Sequence, residues 1–322
     1  MKVLMLGLAL SVLSVGLASA AEDATVVAKA AKIMRDCSTC PEIVVVPAGK
    51  FMMGTPGGSD EFDEDTGESP QIQINIEKAF GLGKTEVTTA QYGDFVRESG
   101  YQPSPGCRLW NDRWIADPKS DWRGDGLRKS PKPTFPVTCV NWNDAKAYAA
   151  WLSKKTGKAY RLPSESEWEY AVRAGTTTPR YFGMNSFEGV SISLACDNAN
   201  VYDVTSQASY PFPYPYARCK DNVADLATVG SFKPNAFGLY DMIGNVSEWV
   251  EDCYTGSYWG RPLDQRAWVW QGGCETRGLR GGAWTSRPAD ARSAKRFNAA
   301  ADTRTTYIGF RIARDVTEGE AK

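Results

Sequence analysis

The chain has 322 residues, with 37 Lys and Arg against 38 Asp and Glu, so its field is nearly neutral and offers little to attract nucleic acid or an anionic membrane. It contains no histidine, which excludes Ser-His-Asp and Cys-His catalysis and any metal site that needs imidazole.

Met1-Lys2, an apolar run from Val3 to Leu17 and the ending Ala18-Ser19-Ala20 form a secretory signal peptide over residues 1–20, cleaved near Ala20. The run is shorter than the ~20 residues of a membrane span, and no later stretch is apolar for long enough. A periplasmic or secreted monomer with no membrane span is expected. In an exported chain an even number of cysteines favours disulfides. Chain order pairs Cys37 with Cys40, Cys107 with Cys139, Cys196 with Cys219 and Cys253 with Cys274, although the sequence alone permits other pairings.

Residues 21–40 are a small, charged lead-in that ends in Cys37-Ser38-Thr39-Cys40. A redox role would need a helix N-terminus and a βαβ unit to lower the thiol pKa. Pro41 and a strand follow instead, which favours a structural disulfide. The main domain spans 41–315, with a short tail over 316–322.

The β-branched run Ile43 to Val46, the turn Pro47-Ala48-Gly49 and Phe51 to Gly54 read as a hairpin. The acidic stretch from Asp60 to Glu68 reads as a solvated loop, since it lacks the spacing of a calcium loop. Gly81-Leu82-Gly83-Lys84-Thr85 lacks the first glycine of a phosphate loop and reads as a strand end.

Thr88 or Thr89 caps a helix over Gln91 to Glu98 that Gly100 ends. A second helix runs from Asp144 to Thr156, capped by Asn143, with Ala145, Tyr148, Ala149 and Leu152 on one face. A third starts at Ser164, where Glu167 three residues on completes a capping box. From Thr176 onward Pro, Gly, Asn and aromatic residues dominate, and long ordered loops with short strands are expected.

Three stretches then carry a resemblance. They are Arg161 to Ala171 (RLPSESEWEYA), Gly238 to Trp249 (GLYDMIGNVSEW) and Arg280 to Trp284 (RGGAW), followed by Gly309-Phe310-Arg311. In this order the chain resembles the formylglycine-generating enzyme (sulfatase-modifying factor) family from about Ile43 to about Asp315. The resemblance implies a C-type-lectin-like α+β fold with few helices, short strands and long disulfide-stapled loops.

It also implies two calcium sites of mixed carboxylate and carbonyl oxygens, a donor set that suits a hard cation. The first would use Asn200, Val201, Asp221 and Val223, with Asp225 as an alternative ligand. The second would use Asp241, Gly244, Val246 and Glu248. Hydrogen bonding within the loops is the other reading of these side chains.

Family members that make formylglycine hold Cu(I) between two thiolates, which this soft ion selects. Counting from Gly281-Gly282 places Ser286 and Ala291 at those positions, with Ala283 and Ser247 replacing a family serine and tryptophan. Calcium rather than copper is therefore expected, and the catalytic residues, if any, are unknown. Trp284, Ser286 and Arg287 are the candidate groove residues. The basic C-terminal stretch, including Arg292, Lys295, Arg296, Arg304 and Arg314, serves structure first, with some members left to line the groove.

Binding of a peptide or protein in the family groove is the expected function. Oxidative tailoring of a periplasmic peptide, as in the pyoverdine-maturation relatives, is the alternative, and true formylglycine generation ranks last.

Overall fold

The computed structural model describes residues 32–57, 67–124, 130–183 and 193–321. The expected signal peptide and most of the acidic stretch lie outside the described residues. Among the described residues no helix is long and apolar enough to cross a membrane.

The elements in chain order begin β1 (Ile33–Met34), β2 (Ile43–Val46), β3 (Gly49–Met53), β4 (Ile72–Ile76), β5 (Phe80–Gly83) and α1 (Thr89–Ser99). Next come β6 (Cys107–Trp110), β7 (Trp114–Asp117), α2 (Trp142–Thr156), β8 (Tyr160–Arg161), α3 (Glu165–Arg173), α4 (Ser193–Asn198) and α5 (Val204–Ser209). The chain ends with β9 (Ser247–Cys253), β10 (Arg277–Arg280), β11 (Phe297–Ala299), β12 (Ile308–Gly309), β13 (Ala313–Asp315) and α6 (Glu318–Ala321).

An antiparallel sheet of order β1-β2-β5-β13-β8 ties the start of the domain to its end. A second sheet, β11-β10-β9-β12, is antiparallel except for the parallel pair β12 and β9. Side chains alternate across each strand. On β9 this sends Glu248 and Val250 toward the core around Trp168 on α3, and Trp249 toward the core that α1 and α2 build with Tyr92, Phe95, Tyr148 and Leu152. The second sheet thus separates two hydrophobic cores.

Helix starts follow from side-chain caps. Thr88 caps α1 in a capping box with Gln91, and Gly100 closes it in the left-handed conformation. Ser164 and Glu167 form the expected box on α3. The cap of α2 is Asn141 rather than Asn143. Asn141 accepts the Asp144 amide at 2.9 Å and Asp144 returns to the Asn141 amide at 2.9 Å, an exchange that Asn143 has no acid three residues on to complete.

Two further expectations are corrected. β2 and β3 do not form a hairpin. β2 lies between β1 and β5, where Ile43, Val44 and Val46 are all buried, while β3 crosses to pair with β4. The region after Thr176 also contains helix. α5 is capped by Asp203, whose carboxylate accepts the amides of Thr205 and Ser206, and Cys196 on α4 is bridged to Cys219 beyond α5.

All four disulfides join the pairs expected from chain order, and no cysteine is free.

Candidate functional site

One face of the second sheet is the floor of a cavity of about 560 Å3. Each strand contributes: Ser247 from β9, Leu279 from β10, Phe297 and Ala299 from β11, and Ile308 from β12. Pairing of Ser247 with Ile308 and of Leu279 with Phe297 brings these side chains into one surface. Trp114, Tyr214 and Tyr307 are aromatic walls, and Trp114 and Tyr307 meet edge to face at 5.1 Å.

Ser286 and Arg287 reach the cavity from the turn after Gly281-Gly282. The two glycines have φ of +90° and +72°, values that L side chains rarely adopt, and a Cβ on Gly282 would lie 3.0 Å from the Ser286 hydroxyl. The Ser286 hydroxyl accepts the Ala283 amide at 2.8 Å, so it closes the turn, and among the described residues no base is hydrogen-bonded to it. Arg287 forks onto Asp290 at 2.6 and 3.1 Å, and Lys295 pairs with the same carboxylate at 3.2 Å. Burial would raise the Asp290 carboxyl, but these cations hold it below its ordinary range.

One expected groove residue, Trp284, is not on the cavity, and neither is Ala291, the position of the second family cysteine. Trp284 is 2% exposed and packs with Tyr202, Phe212, Leu226 and Val246, so it is a core residue rather than a groove residue. Ala291 is also buried in a core cluster.

Arg108 lines the cavity and was not singled out in the sequence. A bridge between Arg108 and Thr305 brings β6 against the C-terminal stretch, and the guanidinium sits 5.9 Å over the Trp114 ring. The basic residues of the C-terminal stretch are mostly turned inward instead. Arg292 forks onto Glu68, Arg296 onto Glu165, Arg311 onto Glu248, and Arg280 reaches Glu169 at 2.5 Å. Glu68, expected in a solvated loop, is 1% exposed because Arg292 and Thr55 hold it inside.

The two expected calcium sites differ. At the first, the side-chain oxygen Oδ1 of Asn200 and Oδ2 of Asp221 are buried and have no hydrogen-bond partner. Burial, with Asp203 nearby, pushes the Asp221 carboxyl up to about 7. Orphaned buried oxygens of this kind fit a hard cation, with the carbonyls of Val201 and Val223 as the remaining donors of the expected set. The Asn200 amide is already committed, to the carbonyl of Asp225 at 2.7 Å and to Asn245 at 3.2 Å, and Asp225 itself accepts the Tyr210 hydroxyl.

At the second site the carboxylate is already neutralised. Both Glu248 oxygens accept Arg311 at 2.7 Å, and one also accepts the Trp168 indole at 2.7 Å. Asp241 keeps one orphaned oxygen, as does Glu86. Burial and the neighbouring Asp241 push the Glu86 carboxyl well above its ordinary range, and burial raises that of Asp241. At the first expected site two buried side-chain oxygens lack partners, whereas at the second the Glu248 carboxylate is already paired with Arg311. Gly244 there is held by packing: its φ is +84°, and a Cβ would meet the Asn200 carbonyl at 2.2 Å.

The family described as the sulfatase-modifying factor enzyme 1-like domain matches residues 29–316. The chain belongs to this family. Among the family's named members, an inactive C-alpha-formylglycine-generating enzyme 2 of Mus musculus is 30% identical over 307 residues, covering 85% of each chain. A formylglycine-generating enzyme of Thermomonospora curvata is 29% identical, covering 85% of this chain and 93% of its own. The solved structure of PvdO from Pseudomonas aeruginosa is 37% identical with a TM-score of 0.75, covering 89% of this chain and 99% of that one. The α+β fold expected from the resemblance is the fold observed.

Proposed function

We propose that this chain is an exported member of the sulfatase-modifying factor family that binds a peptide-derived ligand in the cavity beside Ser286, without oxidising cysteine at a two-thiolate copper site. One observation carries the reading. All eight cysteines are in disulfides, while Ser286 and Ala291 stand where the resemblance puts the thiolates. A serine hydroxyl is a hard ligand and stays protonated near neutral pH without a base beside it. The likeness to an inactive formylglycine-generating enzyme supports the same reading. Calcium at the Asn200 and Asp221 site belongs to it as a structural ion.

The test is an assay with copper, oxygen, a reductant and a cysteine peptide, read by mass spectrometry. No conversion of thiol to aldehyde above the no-enzyme control is expected. Turnover that disappears when copper is removed would overturn the reading.

A second reading is oxidative tailoring of an exported peptide. It is favoured by the cavity itself, since aromatic rings and hydroxyls enclose a space large enough for a peptide side chain and its neighbours. The near full-length match to PvdO supports it as well. Mass spectrometry of an exported peptide incubated with the protein and dioxygen as the electron acceptor, looking for loss of two hydrogens or gain of oxygen, separates this reading from binding alone.

A further inference from the structure

Most of the arginines around the cavity are already spoken for. Arg287 holds Asp290, and Arg280, Arg292, Arg296 and Arg311 hold buried carboxylates behind the walls. Arg108 is different. It is exposed on the cavity wall, its guanidinium lies over Trp114, and among the described residues no carboxylate pairs with it. Stacking on an indole leaves the planar N–H edge of a guanidinium free to donate in a fork.

Among the described residues the other charged side chains on the cavity are Arg287 and Asp290, which pair with each other, while Lys295 holds the same carboxylate from behind. Arg108 is therefore the cavity cation without a carboxylate partner among the described residues, beside an aromatic wall of Trp114 and Tyr307. The floor opposite is made roomy by a small residue, Ser247, on a strand whose neighbours carry Ile308 and Leu279.

We propose that the cavity takes a ligand with an aromatic ring and a carboxylate, the ring lying against Trp114 and Tyr307 above Ser247 and the carboxylate forked by Arg108. This rests on the reading of the cavity as the ligand site. A carboxylate is favoured because a fork of two parallel N–H donors matches its two oxygens, and a neutral amide can accept only one. An aromatic ring is favoured because the wall is itself aromatic: Tyr214 and Tyr307 border the cavity beside Trp114, whose ring already carries Phe212 and Arg108, so the ligand ring meets the tyrosines and the Trp114 edge.

The test uses the full exported protein and three probes: N-acetyl-L-tyrosine, its neutral amide N-acetyl-L-tyrosinamide, and 4-hydroxyphenylpropionate. Binding is read by calorimetry and by quenching of tryptophan fluorescence. The acid is expected to bind at least about tenfold more tightly than the amide, a difference of about 1.4 kcal/mol. Arg108→Gln should bring the acid down to the amide and leave the amide unchanged. Arg108→Lys, which keeps the charge but not the fork, should recover part of the difference. Ser247→Trp should abolish binding of every probe by filling the floor, with the melting temperature and disulfide content measured to show that the variant is folded.

Preference for N-acetyl-L-tyrosine over 4-hydroxyphenylpropionate marks a peptide end as the ligand, and equal affinity marks a free aromatic acid; both support the proposal. Equal binding of acid and amide, with no effect of Arg108→Gln, overturns the carboxylate grip but leaves the cavity as the ligand site. Binding that survives in folded Ser247→Trp overturns the cavity reading as well. No binding of any probe at millimolar concentration overturns the proposal.

Discussion

Arg296 and Glu165 form a closed fork between the C-terminal stretch and the start of α3. Nε donates to one carboxylate oxygen at 2.6 Å and Nη2 to the other at 2.9 Å, and neither side chain is more than 1% exposed. Arg296 also donates to the carbonyls of Gly67 and Thr255, and Arg261 and Arg280 lie 3.4 and 3.6 Å from the same carboxylate. Removing one partner of a buried pair strands the other charge without water. Glu165→Gln is expected to cost roughly 3–5 kcal/mol in urea unfolding, with the midpoint lowered and the slope unchanged.

The same cluster sets an acid limit. Burial would raise the Glu165 carboxyl, but Arg296, Arg280 and Arg261 bring it down to about 2 from an ordinary 4.5. A depressed folded value means that its contribution is complete above about 4.5 and is lost as pH falls through about 2. Asp252 works in the opposite sense. Burial raises it to about 6, so its contribution is present below an unfolded value of 3.8 and fades as pH rises through 6. Urea midpoints measured between pH 2 and pH 7 should therefore drop steeply at the acid end in the native protein. In Glu165→Gln that acid-end drop should be shallower; an unchanged slope would remove Glu165 as its source.

The disulfides offer a separate test of stability. Cys107 and Cys139 are 32 residues apart, and closing a loop of this length stabilises the fold by roughly 3–4 kcal/mol on the chain-entropy estimate. Replacing both by serine should lower the unfolding free energy by that amount. Titration of the unreduced, denatured protein should find no free thiol, and two or more would contradict the pairing.

Calcium binding should show itself as a melting temperature that falls on chelation. A ligand bound only by the folded state adds about 2.7 kcal/mol when present at roughly a hundred times its Kd. Asp221→Ala removes one of the two orphaned oxygens and should make the melting temperature insensitive to chelator. Glu248→Gln should destabilise the protein through loss of the Arg311 pair yet keep the chelator response. The reverse pattern would move the ion to the second site.

Much of the scaffold was readable because its signals are local. The capping box at Ser164 and the left-handed Gly100 act within four residues, while the first helix left its cap open between Thr88 and Thr89, a choice that the Gln91 side chain settles for Thr88. Asn141 carries the same signal, since Asp144 stands three residues after it, whereas Asn143 is nearer the apolar face but has Lys146 at that spacing. The false hairpin at Pro47 has another origin. A turn signal shows where a strand ends but not which strand it then joins, and β3 found its partner in β4, across the segment from Met53 to Ile72.

The site was less readable. The turn at Gly281-Gly282 marks Ser286 and Arg287, yet Arg108 arrives from β6 through a bridge to Thr305, nearly two hundred residues away by chain order. No periodicity carries such a contact. The basic stretch was legible only as a count. Which arginines turn inward depends on Glu68, Glu165, Glu169 and Glu248, three of which lie far upstream of it.

Strand β9 keeps two kinds of inheritance apart. Ser247 looks into the cavity, whereas Glu248, the next residue, carries Arg311 and Trp168 on the opposite face. Because neighbours on a strand never share a face, a change at 247 can reshape what the cavity accepts while the ionic scaffold behind it stays intact. Selectivity and scaffold are thereby set by separate faces of the same seven residues.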